Sequence, residues 1–165
     1  MSSIKTTDWT FPRGREQWYP GEGPWDSEPD KRQWEDEATG MACLIVRNGM
    51  GALCGYVGVP SDHPWYGKDD VEQADGSWVD VHGGLTFSGP CQAGGKVCHI
   101  VEPGGDDDVW WQGFDCAHSM DLTPSSLKHN WYGLGDMGGT YRDIAYVTAQ
   151  VEGLARQAAV MLPAG

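Results

Sequence analysis

Aliphatic side chains are scarce in this chain. Leucine, isoleucine, valine and phenylalanine make up 27 of its 165 residues, about 16%, beside a net charge of −13. Chains of that kind usually cannot bury enough apolar surface to offset the entropy of ordering the backbone. Nine tryptophans, six tyrosines, six methionines and five cysteines reverse the expectation, because each indole removes a large apolar area from water. The length predicts a single domain over residues 1–165 with a largely aromatic core. Twenty-four glycines and ten prolines require many turns and exclude an all-helical bundle.

No apolar run approaches the ~20 residues of a membrane span. The opening Met-Ser-Ser-Ile-Lys-Thr-Thr-Asp lacks the apolar core of a secretory signal, so a cytoplasmic protein is expected. Five cysteines with no C-x-x-C spacing suit reduced thiols better than a disulfide framework or a structural zinc site. The acidity repels polyanions, which disfavours direct binding to DNA, RNA or an anionic membrane. It permits plain solubility or mimicry of DNA, and the dispersed acids favour solubility.

Residues 1–40 set Trp9, Trp18, Trp25 and Trp34 among Pro12, Pro20, Pro24 and Pro29 with neither helical nor strand period. They read as an extended Trp-rich arm. A short helix within it is capped by Ser27, runs through Glu35 or Glu37 and stops at Gly40. Residues 41–118 read as an antiparallel sheet with long loops. Asn48-Gly49 suits a two-residue hairpin turn that pairs Cys43 with Cys54. Residues 60–77 form a long loop, Trp78 to Val81 a strand ending at His82-Gly83-Gly84, and Leu85 to Phe87 its continuation. Val97 to Val101 and Val109 to Phe114 make a second hairpin around residues 102–108. Residues 140–161 hold the clearest element, a helix from Tyr141 to about Val160. Thr140 and Asp143 form its capping box, with Ile144, Val147, Val151, Leu154, Ala155 and Ala158 on one face. The sum is an α+β domain of about five antiparallel strands, packed by the terminal helix and the arm.

The polar residues with functional promise stand where predicted strands run out: His63, His82, Asp115, His118 and Asp121. Gly83 and Gly84 free the backbone to turn amides toward an anion, with His82 beside them and Thr86 two residues beyond. A Gly-rich turn with a hydrogen-bonded histidine is the plainer reading. Asp115 and His118, three apart, would set a carboxylate against an imidazole nitrogen and orient it as an acid or base. A helix cap with solvated neighbours is the alternative. The His and Asp residues lack any metal-site spacing, so neither a metal nor another cofactor is expected. Cys116 beside His118 is more readily a buried thiol than a nucleophile. No nucleophile elbow, P-loop or dinucleotide fingerprint occurs, and neither His82 nor His118 heads the H-x-T/S pair of two-histidine phosphoesterases. Trp65 and Trp111 are candidate stacking faces for a base, and Arg47, Lys96 and Arg142 the cations that could meet phosphate. Most of the tryptophans are nonetheless needed in the core.

On these residues the chain resembles a group of small bacterial and bacteriophage proteins. The matching stretches are Cys54-Gly-Tyr-Val-Gly-Val-Pro60, His63-Pro64, Val81-His-Gly-Gly-Leu-Thr86, Trp111-Gln-Gly-Phe-Asp-Cys-Ala-His118 and Tyr141-Arg-Asp143. The resemblance covers roughly residues 25–160 and implies a phage setting, hence the host cytoplasm, without a settled catalytic residue. The expected function is capture of a nucleotide-derived small molecule, an anti-defence role that sequesters a host signal. His82, His118 and Asp115 would form its centre, with His63, Gly83, Gly84, Thr86, Trp65, Trp111, Asp121 and Arg47 around the ligand. The runner-up is a phosphodiesterase that cleaves such a molecule with His82 and His118 as acid and base. A third reading is an acidic DNA mimic that blocks a host protein. A homo-oligomer is compatible with all three.

Overall fold

A computed structural model describes residues 6–10, 23–91, 97–98, 108–125 and 139–162. Six antiparallel strands form one sheet: β1 (Thr7–Trp9), β2 (Lys31–Glu35), β3 (Ala42–Arg47), β4 (Leu53–Pro60), β5 (Phe87–Pro90) and β6 (Val109–Asp115). Their order is β1-β2-β3-β4-β6-β5, and helix α1 (Ile144–Val160) packs over β3 and β4. The architecture is α+β.

Strand alternation builds a core on each face of the sheet. Cys43, Ile45, Leu53, Val57, Val59 and Phe114 meet Val147, Val151, Leu154, Ala155 and Ala158 of α1. Leu44, Val46, Cys54, Tyr56 and Trp111 pack on the opposite face. The helix approaches β4 closely at Gly55, where a Cβ would lie 2.6 Å from both Phe114 and Val151. Val147, Val151 and Leu154 are fully buried. Each contributes about 1.5–3 kcal/mol relative to exposure.

Several local expectations are corrected. The described parts of the Trp-rich segment do not form an extended arm packed on the sheet: Trp9 and Trp34 lie on strands of the sheet itself, and Trp25 sits buried in a 3-10 turn at Pro24–Ser27. Trp18 lies outside the described residues. The helix expected from Ser27 to Gly40 is instead β2, paired in register with β3 from Lys31↔Val46 to Glu35↔Ala42. Sheet pairing overrides a locally plausible cap. The β3–β4 connection is a five-residue loop, because the Asn48 side chain accepts the N–H groups of Met50 and Ala52 at 2.9 and 3.0 Å. The register moves accordingly, to Cys43↔Val57 and Val46↔Cys54.

Trp78 makes only an isolated bridge with Glu72, and the backbone through Val81 is loop. β6 pairs with β4 and β5, and most of the proposed Val97–Val101 partner lies outside the described residues. Asp143, not Thr140, caps α1 by accepting the N–H of Tyr146 at 2.8 Å, since Thr140 is held in a parallel bridge with Asp121. Cys91 and Cys98 form a disulfide, their Cα atoms 4.6 Å apart, against the expectation of reduced thiols. Cys43, Cys54 and Cys116 are free and buried. Among the described residues no helix is long and apolar enough to cross a membrane.

Candidate functional site

Two histidines meet where β6 ends and α1 begins. His82 reaches this place on the loop before β5. That loop is strapped to α1 through its main chain: the N–H of His82 donates to Gln150 Oε1 at 2.9 Å. Gln157 exchanges two hydrogen bonds of 2.8 Å with the N–H and carbonyl of Asp80. His82 Nε2 lies 2.9 Å from Asp121 Oδ2, and Nδ1 lies 2.8 Å from the hydroxyl of Tyr146.

Asp121 is the hub. Its Oδ1 accepts from Arg142 Nε at 2.9 Å, and its Oδ2 also accepts the N–H of His118 at 3.1 Å. Desolvation pushes this carboxyl upward, but the hydrogen bonds from His82, Arg142 and the His118 backbone outweigh it and hold Asp121 below the usual value. With Asp121 ionised, His82 carries its proton on Nε2 and leaves Nδ1 to accept from the Tyr146 hydroxyl. Arg142 also lies over the Tyr146 ring, 4.9 Å from its centroid.

The His118 ring stands 5.8 Å from that of His82, tilted by 55°. Its Nε2 lies 3.5 Å from Asp115 Oδ1, an ion-pair distance rather than a hydrogen bond, and is buried without a hydrogen-bond partner among the described residues. Asp115 is positioned by the hydroxyl of Thr86 and the N–H of Ala117, both at 3.0 Å. Gly83 lies against the same imidazole, at φ 68°, and a Cβ there would come within 2.1 Å of His118 Nε2. Gly84 donates its N–H to Val81 at 2.9 Å. That amide closes a turn and does not point at an anion.

The structure therefore brings together His82, His118, Asp115, Asp121, Gly83 and Thr86. Four other residues named from the sequence stand apart. His63 is buried toward the other end of α1, its Nε2 2.7 Å from the carbonyl of Ala158 and its Nδ1 accepting the N–H of Trp65. Trp65 is buried in the helix-side core, and Trp111 is wholly buried in the opposite one. Arg47 is buried between Asp30 at 2.7 Å and Tyr141 at 2.8 Å, with Glu28 at 3.5 Å. A chain short of aliphatic residues uses these large side chains for packing. Tyr146 and Gln150 were not singled out from the sequence. They lie with Gly153 and Gln157 at spacings of four, three and four, a polar line beside the apolar stripe of α1 that a reading of both helix faces would have found.

Among the described residues no group of three or more His, Cys, Asp and Glu is arranged to hold a metal ion. Burial pushes the Cys116 thiol far above its ordinary value, so it is poorly suited to act as a thiolate nucleophile. Comparison of the chain with protein-family models, with curated proteins and with solved structures finds no match to any of them.

Proposed function

We propose that the chain hydrolyses a phosphodiester in a nucleotide-derived small molecule, with the His82 and His118 pair as its acid–base centre. The observation that carries this reading is the pairing itself: two imidazoles 5.8 Å apart, each with its own carboxylate. Both nitrogens of His82 are occupied, so its base function reaches the surface through Tyr146. Water attacks phosphorus and gives its proton to the Tyr146 oxygen as the phenol proton passes to His82 Nδ1. Asp121 stabilises the imidazolium that forms. His118, protonated and facing Asp115, gives a proton to the leaving oxygen as the P–O bond breaks. Return of one proton to His118 and loss of one from His82 close the cycle. Arg142 supplies the positive charge for the phosphoryl oxygens through its terminal nitrogens, which make no hydrogen bond among the described residues.

Capture without cleavage would stack a base on Trp65 or Trp111, whose rings the core takes up, or on the exposed Trp78. The acid–base reading uses groups at the histidine cluster and is preferred on that ground. In the bacteriophage setting implied by the resemblance, cleavage would remove a host nucleotide signal. The test is incubation of the purified protein with cyclic and linear dinucleotides, followed by chromatography of free and heat-released pools. New products that disappear in His118→Ala, and fall about a hundredfold or more in Tyr146→Phe, are expected. Intact nucleotide recovered by heating would replace hydrolysis by capture, and an unchanged pool would end both.

A further inference from the structure

Trp78 stands out among the described indoles by lying 67% exposed. It lines a cleft of about 270 Å³ with Asp70, Val71, Val79, Gly84 and Leu85. Val71 and Val79 are buried, and with Leu85 they join the helix-side core, so the cleft has a firm apolar base. The volume is below the ~300–1,000 Å³ of sites that enclose a whole ligand, and suits one planar ring system. Asp70, on the cleft wall, sits at φ 52°. It is the one non-glycine residue in the left-handed region among the described residues. Its carboxylate makes no hydrogen bond among them. Gly84 leads from this cleft to Gly83, against which His118 packs.

We infer that the Trp78 cleft is a base subsite that takes a guanine-type ring, stacked on the indole with its N–H edge on Asp70. An ionised carboxylate only accepts, and its two oxygens match two adjacent N–H donors, as on the guanine edge. Adenine presents one amino group beside a ring nitrogen that itself accepts, and pairs less well. The charge of Asp70 and its neighbour Asp69 keeps phosphate out of this cleft and toward Arg142. For its phosphate end the inference rests on the hydrolase reading above, but its base end is tested without it.

The experiment is calorimetric titration with guanosine and with adenosine, which carry no phosphate and cannot be cleaved as phosphodiesters. Guanosine is expected to bind at least about tenfold more tightly than adenosine. Asp70→Asn should remove that preference, and Trp78→Ala should weaken both nucleosides about tenfold. Both side chains are exposed, and thermal unfolding of each variant checks that the fold is kept. Absence of guanosine binding, or binding unchanged in Trp78→Ala and Asp70→Asn, overturns the subsite. Guanosine binding by a protein that cleaves no dinucleotide keeps the subsite and overturns only the hydrolase reading.

Discussion

The Glu28 carboxylate accepts the backbone N–H of Ile144 at 2.6 Å, joining residues 116 positions apart. Its other oxygen takes the Tyr141 hydroxyl at 2.6 Å and lies 3.5 Å from Arg47. The first turn of α1 is thereby tied to β3 through a buried guanidinium that also binds Asp30. Because α1 carries Tyr146 and Gln150, this network fixes where the histidine cluster is assembled.

Arg47→Ala should destabilise the protein by about 3–5 kcal/mol, since it leaves Glu28 and Asp30 buried without their counter-charge. Urea denaturation measures it. A loss under about 1 kcal/mol would mean that the pair is solvated in solution.

His63 is held as the neutral tautomer, with Nε2–H donating to Ala158 and Nδ1 accepting from Trp65. Burial lowers its pKa below the ordinary 6.5, against weaker upward pulls from the Ala158 carbonyl and Asp62. The unfolded chain therefore takes up the proton first. The stabilisation is complete above about pH 6.5 and is lost as pH falls from there through the depressed folded value, with a slope of at most about 1.4 kcal/mol per pH unit. Denaturation midpoints between pH 7.5 and 5 should show this slope in the wild type and lose part of it in His63→Gln. Parallel profiles would contradict the assignment.

Gly83→Ala tests the contact beneath His118. The new methyl group would overlap the imidazole, and φ 68° strains any L side chain. Turnover should fall about a hundredfold as the ring is displaced, with a stability loss of order 1 kcal/mol. Full activity in a folded Gly83→Ala protein would show that His118 does not work from this position.

The cysteine pattern predicts three thiols that react with Ellman's reagent in denaturant without reductant, and five after reduction. Five reactive thiols from the unreduced, freshly purified protein would place Cys91 and Cys98 in the thiol form.

The parts of the fold governed by period could be read in advance. Alternation around Asn48 marked β3 and β4, and the spacing of Val147, Val151, Leu154 and Ala158 marked α1. What failed was decided by partners distant in sequence. Residues 31–35 follow an acceptable helix start at Ser27, yet β3 offers them a full ladder of hydrogen bonds. The hairpin register depended on one asparagine side chain bonding its own loop. At the candidate site, His82, Asp115, His118 and Asp121 stood out as polar groups at strand ends. Tyr146 did not, because its neighbours on α1 concealed a phenol that matters only once the 80–84 loop is laid beside it. Arg47, His63, Trp65 and Trp111 carried a chemistry that their burial leaves unused for a ligand.

The two glutamines of α1 grip Asp80 and His82 by main-chain N–H and carbonyl groups that every residue except proline possesses. The grip is indifferent to the side chains it passes. Side chains at positions 80 and 82 can therefore change, by drift or by design, while the helix keeps presenting the same trace.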